Sequence, residues 1–115
     1  MSATHFGLPE RTVEKIRDVL ARHPAVEAAI LYGSRAKGNY RNGSDIDLTL
    51  LGSGLGHRDL LKIMGELDDL LLPYTIDLSI LHQIDHAGLR EHIERVGREF
   101  YRRQGAGQSW TVQPA

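Results

Sequence analysis

The chain has 115 residues, of which 41% are hydrophobic and 25% are charged, and its formal net charge at pH 7 is −1. This length suits one domain with a single core, and the absence of cysteine excludes disulfides, a thiolate nucleophile and a cysteine zinc site. The small net charge argues against holding long nucleic acid by charge alone, and neither a membrane-length apolar stretch nor a signal peptide is evident, so a cytoplasmic protein is expected.

Apolar periodicity and turn residues predict an alternation of helices and strands. Val13, Ile16 and Leu20 recur at helical spacing, whereas residues 45–51 alternate between polar and apolar side chains as a strand does. In chain order the predicted elements are a helix over 9–22, a strand over 26–32, a short helix over 34–37, a loop over 39–44 that includes Asn42, a strand over 45–51, a glycine-rich connector over 52–56, a helix over 60–71, a strand over 74–81 and a helix over 89–100. A domain over residues 1–104 and a flexible tail over 105–115 are expected.

The second and third predicted strands each have one polar and one apolar face. Asp45, Asp47 and Thr49 share a face of the second strand, and Asp77 and Ser79 share a face of the third. If the two strands are neighbours, their polar faces form one open floor that carries three carboxylates, while the apolar faces pack under helices. This pattern predicts a small α+β domain with a mixed sheet and helices packed on one face.

The three carboxylates form a candidate Mg²⁺ site. Asp45 and Asp47 lie two residues apart on a strand, so their side chains point the same way about 7 Å apart. Oxygen ligands suit Mg²⁺, and two such ions about 4 Å apart would clamp the attacking and leaving oxygens of an in-line displacement. Asp77 could hold the second ion and accept a proton from the attacking hydroxyl. Plain solvent exposure is the alternative and is favoured for Asp45 taken alone, whereas the mid-strand positions of Asp47 and Asp77 favour function.

A glycine-serine turn lies between the first predicted strand and the short helix. Gly33 would let the backbone approach a phosphate closely, and Ser34 adds a hydroxyl donor at the amino end of a helix. Arg35 and Lys37 could offset phosphate charge. A tight turn with solvated basic residues is the alternative. The turn becomes informative through its spacing from Asp45, because residues 35–44 return the chain to a neighbouring strand end.

Other motifs favour structural roles. The glycines between residues 52 and 56 do not match a dinucleotide fingerprint, since His57 stands where that motif requires glycine. The basic residues Arg98, Arg102 and Arg103 are expected to end the last helix, where cations favour the helix dipole. Three histidines are expected to be solvated or helix-capping side chains: His82, His86 and His92.

At these motifs the chain resembles the minimal nucleotidyltransferases of the DNA polymerase β superfamily, over roughly residues 13–101. The resemblance lies in three segments: Leu31 to Gly38 (Leu-Tyr-Gly-Ser-Arg-Ala-Lys-Gly), Ser44 to Leu48 (Ser-Asp-Ile-Asp-Leu) and Thr75 to Leu78 (Thr-Ile-Asp-Leu). It implies a polymerase β-like nucleotidyltransferase core that uses ATP and Mg²⁺.

The resemblance also implies a role for each motif residue. Carried over to this sequence, the roles are triphosphate binding by Gly33 and Ser34, nucleotide binding by Arg35 and Lys37, Mg²⁺ binding by Asp45 and Asp47, and completion of the metal site and base catalysis by Asp77. Minimal members of the family resemble antitoxins of HEPN-domain ribonuclease toxins. The implied reaction is therefore transfer of AMP from ATP to a hydroxyl of the toxin, with tyrosine the expected acceptor, and an oligomer within a toxin–antitoxin complex is compatible with it.

Two other functions remain open. A binding module would neutralise a toxin by covering it, with ATP as a regulator or a relic, although the complete carboxylate trio argues against this. A transferase acting on a small hydroxylated molecule such as an aminoglycoside would need an acceptor pocket, for which this chain is short. The sequence does not distinguish the acceptor.

Overall fold

The computed structural model describes residues 4–41 and 43–104, so Asn42 and the tail predicted for 105–115 lie outside the described residues. Most of the predicted elements are present, with boundaries shifted by a few residues. The helices are α1 (Glu10–Ala21), α2 (Ser34–Lys37), α3 (His57–Asp68) and α4 (Ala87–Val96), and the strands are β1 (Thr4–His5), β2 (Leu8–Pro9), β3 (Ala28–Tyr32), β4 (Ile46–Leu51), β5 (Ile76–Ile80) and β6 (Arg98–Arg102). A short 3-10 helix, Leu81–Gln83, follows β5.

The central sheet has the strand order β5-β4-β3-β6. Strand β4 runs parallel to β5, whereas β3 is antiparallel to both β4 and β6. The predicted small mixed sheet is thus confirmed, and the second and third predicted strands are neighbours. Strands β1 and β2 form a separate antiparallel hairpin at the start of the described chain.

The main core lies between the sheet and two helices, α1 and α3. The apolar faces predicted for β4 and β5 point into this core, as do the apolar positions predicted for α1. The fully buried members on those elements are Val13, Ile16, Leu20, Ile46, Leu48 and Leu50. The polar residues of β4 and β5 consequently face away from α1 and α3, because successive strand residues alternate between faces.

The end of the chain differs from the prediction. The helix predicted over 89–100 ends at Val96, and residues 98–102 form β6 at the edge of the sheet. The helical spacing of Phe100 from Val96 is coincidental, because Phe100 belongs to the strand and lies in the main core. Gly97 makes the change of direction: a Cβ there would overlap the Ile93 carbonyl oxygen and crowd Ile30.

Helix α4 is also the exception to the prediction that helices pack on one face. Its residue Ile93 is buried against Ile30, which points to the side of the sheet opposite α1 and α3. The prediction that helices pack on one face therefore holds for α1 and α3. Helix α4 packs on β3 from the opposite side, on the face that carries the polar residues of β4 and β5. Burial of a few apolar side chains on that face is sufficient reason, since each contributes about 1.5–3 kcal/mol.

Arg103 does not end a helix as predicted. Its guanidinium donates hydrogen bonds to the carbonyl oxygens of Val26, Ala21 and His23, which fixes the end of β6 against the end of α1. None of the helices in the described part of the chain has the length and apolar character needed to cross a membrane.

Candidate active site

Two carboxylates from different strands lie side by side on the open face of the sheet. Asp47 of β4 and Asp77 of β5 are register partners, as are Asp47 and Tyr32 of β3. Neighbouring strands are about 4.8 Å apart and paired residues point to the same face, so the three side chains form one row. Asp47 is half-buried and Asp77 is exposed. Asp45, also exposed, lies one residue before β4.

The glycine-serine turn lies directly beside this row. Gly33 has φ 78° and ψ −158°, a backbone conformation that is essentially limited to glycine. A Cβ at Gly33 would overlap Oδ2 of Asp47, so the missing side chain is what allows the turn to approach the carboxylate. Ser34 starts α2 immediately afterwards, and its carbonyl oxygen accepts a hydrogen bond from the Gly38 N–H at 2.9 Å. The turn and the carboxylates thus share one site.

The electrostatics of the site reflect this crowding of acidic groups. Burial raises the pKa of Asp47, and the nearby charges of Asp77 and Asp45 raise it further. Burial likewise raises the pKa of the Tyr32 phenol, with Asp77 and Asp47 adding to the shift. Each effect means that the folded protein disfavours a further negative charge here. The charges of the other two predicted carboxylates therefore both act on Asp47, although they lie on different segments.

We expect Asp47→Asn to raise the melting temperature of the metal-free protein at pH 7. Because the folded state raises the pKa of Asp47, ionisation of this carboxyl opposes folding increasingly above its ordinary pKa, and the full effect is present above the raised value. The advantage of the variant should shrink as the pH falls toward the ordinary carboxyl pKa of 3.8. Thermal unfolding in EDTA across this pH range, with the exposed Asp18→Asn as control, measures the effect. An unchanged or lower melting temperature at pH 7 would contradict it.

The two predicted basic residues of α2 have different environments. Arg35 is 3% exposed, and its guanidinium donates to the Ser44 carbonyl oxygen at 3.0 Å and to the Phe6 carbonyl oxygen at 2.9 Å. Lys37 is exposed, and its charge adds to the effects of burial and of Arg95 that lower the pKa of the His92 imidazole. Lys37 is therefore accessible to a bound anion, whereas Arg35 is enclosed by the protein.

His92 belongs to the site, so the prediction that it is a solvated or helix-capping histidine is wrong. Its Nε2 accepts a hydrogen bond from the Gly33 N–H at 3.3 Å, and its ring meets Tyr32 edge-on with centroids 6.2 Å apart. Burial, then the charges of Arg95 and Lys37, lower the pKa of His92, which favours the neutral form that can accept this bond. In the sequence, His92 falls on the same face of the predicted helix as the apolar residue Ile93. That position indicates that the imidazole faces the sheet.

His86 behaves as predicted, since its Nδ1 accepts the Leu89 N–H at 3.0 Å and so caps α4. The cap fixes the start of the helix that brings His92 to the turn. His86 therefore caps the helix, whereas His92 on the same helix contacts the site.

The oxygen groups of the site fit Mg²⁺ as a partial ligand set. Within residues 4–41 and 43–104, no group of three His, Cys, Asp or Glu side chains is arranged to hold a metal ion by itself. Asp47 and Asp77 nevertheless lie side by side, and the negative charge of Asp77 repels that of Asp47. A divalent cation would offset this repulsion. Mg²⁺ usually takes one or two protein carboxylates and fills its shell with waters and substrate phosphates. Metal binding by Asp45, Asp47 and Asp77 stays a prediction.

A family model and several solved structures match most of this chain. The family model described as "Polymerase beta, Nucleotidyltransferase" matches residues 14–106, which include every predicted site residue. No curated protein sequence matches the chain.

Solved structures share the fold at low sequence identity. A chain of a toxin–antitoxin crystal structure with AMP-PNP has a TM-score of 0.65 and 23% identity over 80% of this chain and 74% of that one. A chain from the complex of a tri-AMPylated Shewanella oneidensis HEPN toxin with MNT antitoxin has a TM-score of 0.62 and 21% identity, over 83% of this chain and 73% of that one. At such identities these matches establish the fold.

Proposed function

The chain belongs to the polymerase β nucleotidyltransferase family, and on that premise we propose that it transfers AMP from ATP to a hydroxyl group of a partner protein. The partner is a HEPN-domain ribonuclease toxin, the expected acceptor is a tyrosine, and the modification makes this chain an antitoxin. The observation that carries the proposal is the row of Asp47 and Asp77 against the Gly33 turn. This arrangement offers carboxylates and a close backbone approach at one place, as nucleotide transfer requires.

In the proposed reaction the acceptor oxygen attacks the α-phosphorus of ATP. The bond from that phosphorus to the bridging oxygen breaks, pyrophosphate leaves, and the acceptor's proton passes to the Asp77 carboxylate. Bound Mg²⁺, held by Asp45, Asp47 and Asp77, would supply charge neutralisation at the phosphates. The close approach that Gly33 allows and the Ser34 hydroxyl orient the triphosphate, and exposed Lys37 adds a positive charge beside it.

The exposure of the site supports a protein acceptor. Asp45 and Asp77 are both exposed, so a side chain on another molecule can reach them. The described residues form the sheet and its helices and contain no second unit that covers the carboxylates. A docking protein can therefore contribute both the attacking hydroxyl and the surface that excludes water from the reaction. The toxin–antitoxin complexes that share this fold motivate the choice of partner.

The direct test is to incubate the purified chain with the protein encoded by the neighbouring reading frame, ATP and Mg²⁺, and to measure intact masses. We expect the partner to gain the mass of one AMP group or a multiple of it. Neutralisation of the toxin with no added mass would instead support a binding module. ATP consumption only with an aminoglycoside or similar molecule would support a small-molecule transferase, and either result would contradict the proposal.

A further inference from the structure

Arg35 is enclosed at the junction of the segments that carry the site residues. It follows Ser34 in the turn, and its Nε donates to the carbonyl oxygen of Ser44, the residue immediately before Asp45. Its Cζ lies 5.2 Å from the ring centroids of both Tyr40 and Tyr74. Tyr74 begins the segment that continues into β5. The guanidinium therefore contacts the turn, the loop before β4 and the segment before β5.

On the basis of these contacts, and resting on the proposed function, we propose that Arg35 is a positioning residue that holds Asp45 in place for Mg²⁺–nucleotide binding. It would act through the protein and would not contact a phosphate. A guanidinium is suited to this work because it is planar, always charged and able to donate in several fixed directions while it stacks on aromatic rings.

The packing around Arg35 explains how the position of Asp45 is set. Asp45 itself is exposed and precedes β4, so no sheet ladder restrains it. Asp45 is instead flanked by two hydrogen bonds. Arg35 holds the Ser44 carbonyl oxygen on one side, and on the other the Ile46 N–H donates to the Thr75 carbonyl oxygen at 2.9 Å. Loss of the first contact would leave the carboxylate free to move away from Asp47.

The second carbonyl contact ties the site to the amino-terminal hairpin. Arg35 Nη1 donates to the Phe6 carbonyl oxygen at 2.9 Å, and the Phe6 ring stacks on Phe100 of β6 with centroids 6.0 Å apart. Tyr40 packs over Gly7 so closely that a Cβ on that glycine would overlap its ring. Arg35 thus joins the hairpin to the loop before β4. These contacts allow it to fix the position of Asp45 without touching the substrate.

Arg35→Lys separates positioning from phosphate binding. Lysine keeps the positive charge but cannot donate to both carbonyls with a planar group or stack equally between two rings. The measurement is Mn²⁺ binding by electron paramagnetic resonance in the presence of α,β-methylene ATP, together with binding of the analogue in EDTA. We expect Mn²⁺ affinity to fall about tenfold or more, as for outer-shell partners of metal ligands, with metal-free analogue affinity unchanged.

The controls keep the outcomes distinct. Arg58→Lys on the exposed start of α3 makes the same chemical change away from the site and should bind like the wild type. Tyr74→Leu removes one of the two rings that stack on Arg35 and should also weaken Mn²⁺ binding. This variant replaces Arg35→Lys in the test if Arg35→Lys does not fold. Unchanged Mn²⁺ affinity in folded variants, or a loss confined to the metal-free analogue, would overturn the role of Arg35 alone. Failure of the wild type to bind Mn²⁺ with the analogue would overturn the proposed function and this role together.

Discussion

Asp47→Asn should lower the rate of AMP transfer roughly 10³-fold or more, the scale seen when a central catalytic carboxylate is removed. Asp47 lies at the centre of the site, paired in register with Asp77 and with Tyr32 and in contact range of the Gly33 turn. Asparagine matches the shape of aspartate but lacks the negative charge needed to share a divalent cation with a triphosphate. The loss should therefore appear in the rate constant while the fold is kept.

The measurement is labelling of the partner protein by α-labelled ATP, with the rate followed at saturating nucleotide. Asp18→Asn is the matched control, since Asp18 is exposed on α1, which packs on the other face of the sheet. Because Asp47→Asn is expected to be more stable than the wild type at pH 7, a loss of transfer in that variant cannot be attributed to unfolding. Labelling at the wild-type rate by Asp47→Asn would refute the assignment of the site.

Gly33→Ala should abolish detectable transfer and destabilise the protein by about 1–3 kcal/mol, the cost of a strained backbone conformation. Two effects combine at this position. The backbone lies in a region of φ and ψ that is essentially limited to glycine, and the added methyl group would overlap Oδ2 of Asp47. Relief of that overlap requires the turn or the carboxylate to move, and either movement separates the two halves of the site.

Gly38→Ala is the matched control for the turn. Gly38 also has a positive φ, 88°, but a Cβ there meets nothing within 4 Å, so the substitution adds backbone strain without a clash at Asp47. We expect it to cost stability and to retain most of the transfer activity. Chemical denaturation and partner labelling, measured on both variants, compare the two effects. Equal activity in Gly33→Ala and Gly38→Ala would show that the contact between the turn and Asp47 is unimportant.

The alternation of β4 and β5 is the part of the structure that the sequence predicts best. Polar and apolar residues alternate through Asp47-Leu48-Thr49 and Asp77-Leu78-Ser79, and this period fixes which side chains face the core. The direction of pairing was left open, because a parallel and an antiparallel neighbour present the same face. The register that places Asp47 opposite Asp77 required the structure.

The end of the chain shows why periodicity can mislead. Leu89, Ile93, Val96 and Phe100 fit one helical face, so a continuous helix was predicted. The chain instead turns at Gly97 and pairs with β3, because the sheet edge offers hydrogen bonds and the core has room for Phe100. Tertiary pairing overrode local spacing there.

Side-chain roles were the least predictable feature. Arg35 and Lys37 look equivalent in the sequence, but only the structure shows that Arg35 is enclosed by Tyr40 and Tyr74. His92 lies 59 residues from Gly33, to which it is hydrogen-bonded, and no local pattern encodes a contact at that separation. Such contacts depend on how α4 packs over β3, which follows from the whole fold.

The most direct test of the site is an anomalous difference map from crystals soaked with Mn²⁺ and α,β-methylene ATP. We expect a Mn²⁺ peak at coordination distance, about 2.1 Å for ions of this kind, from carboxylate oxygens of Asp47 and Asp77, with the phosphates against Gly33 and Ser34. A well-ordered nucleotide bound elsewhere, or a Mn²⁺ peak remote from both carboxylates, would contradict it.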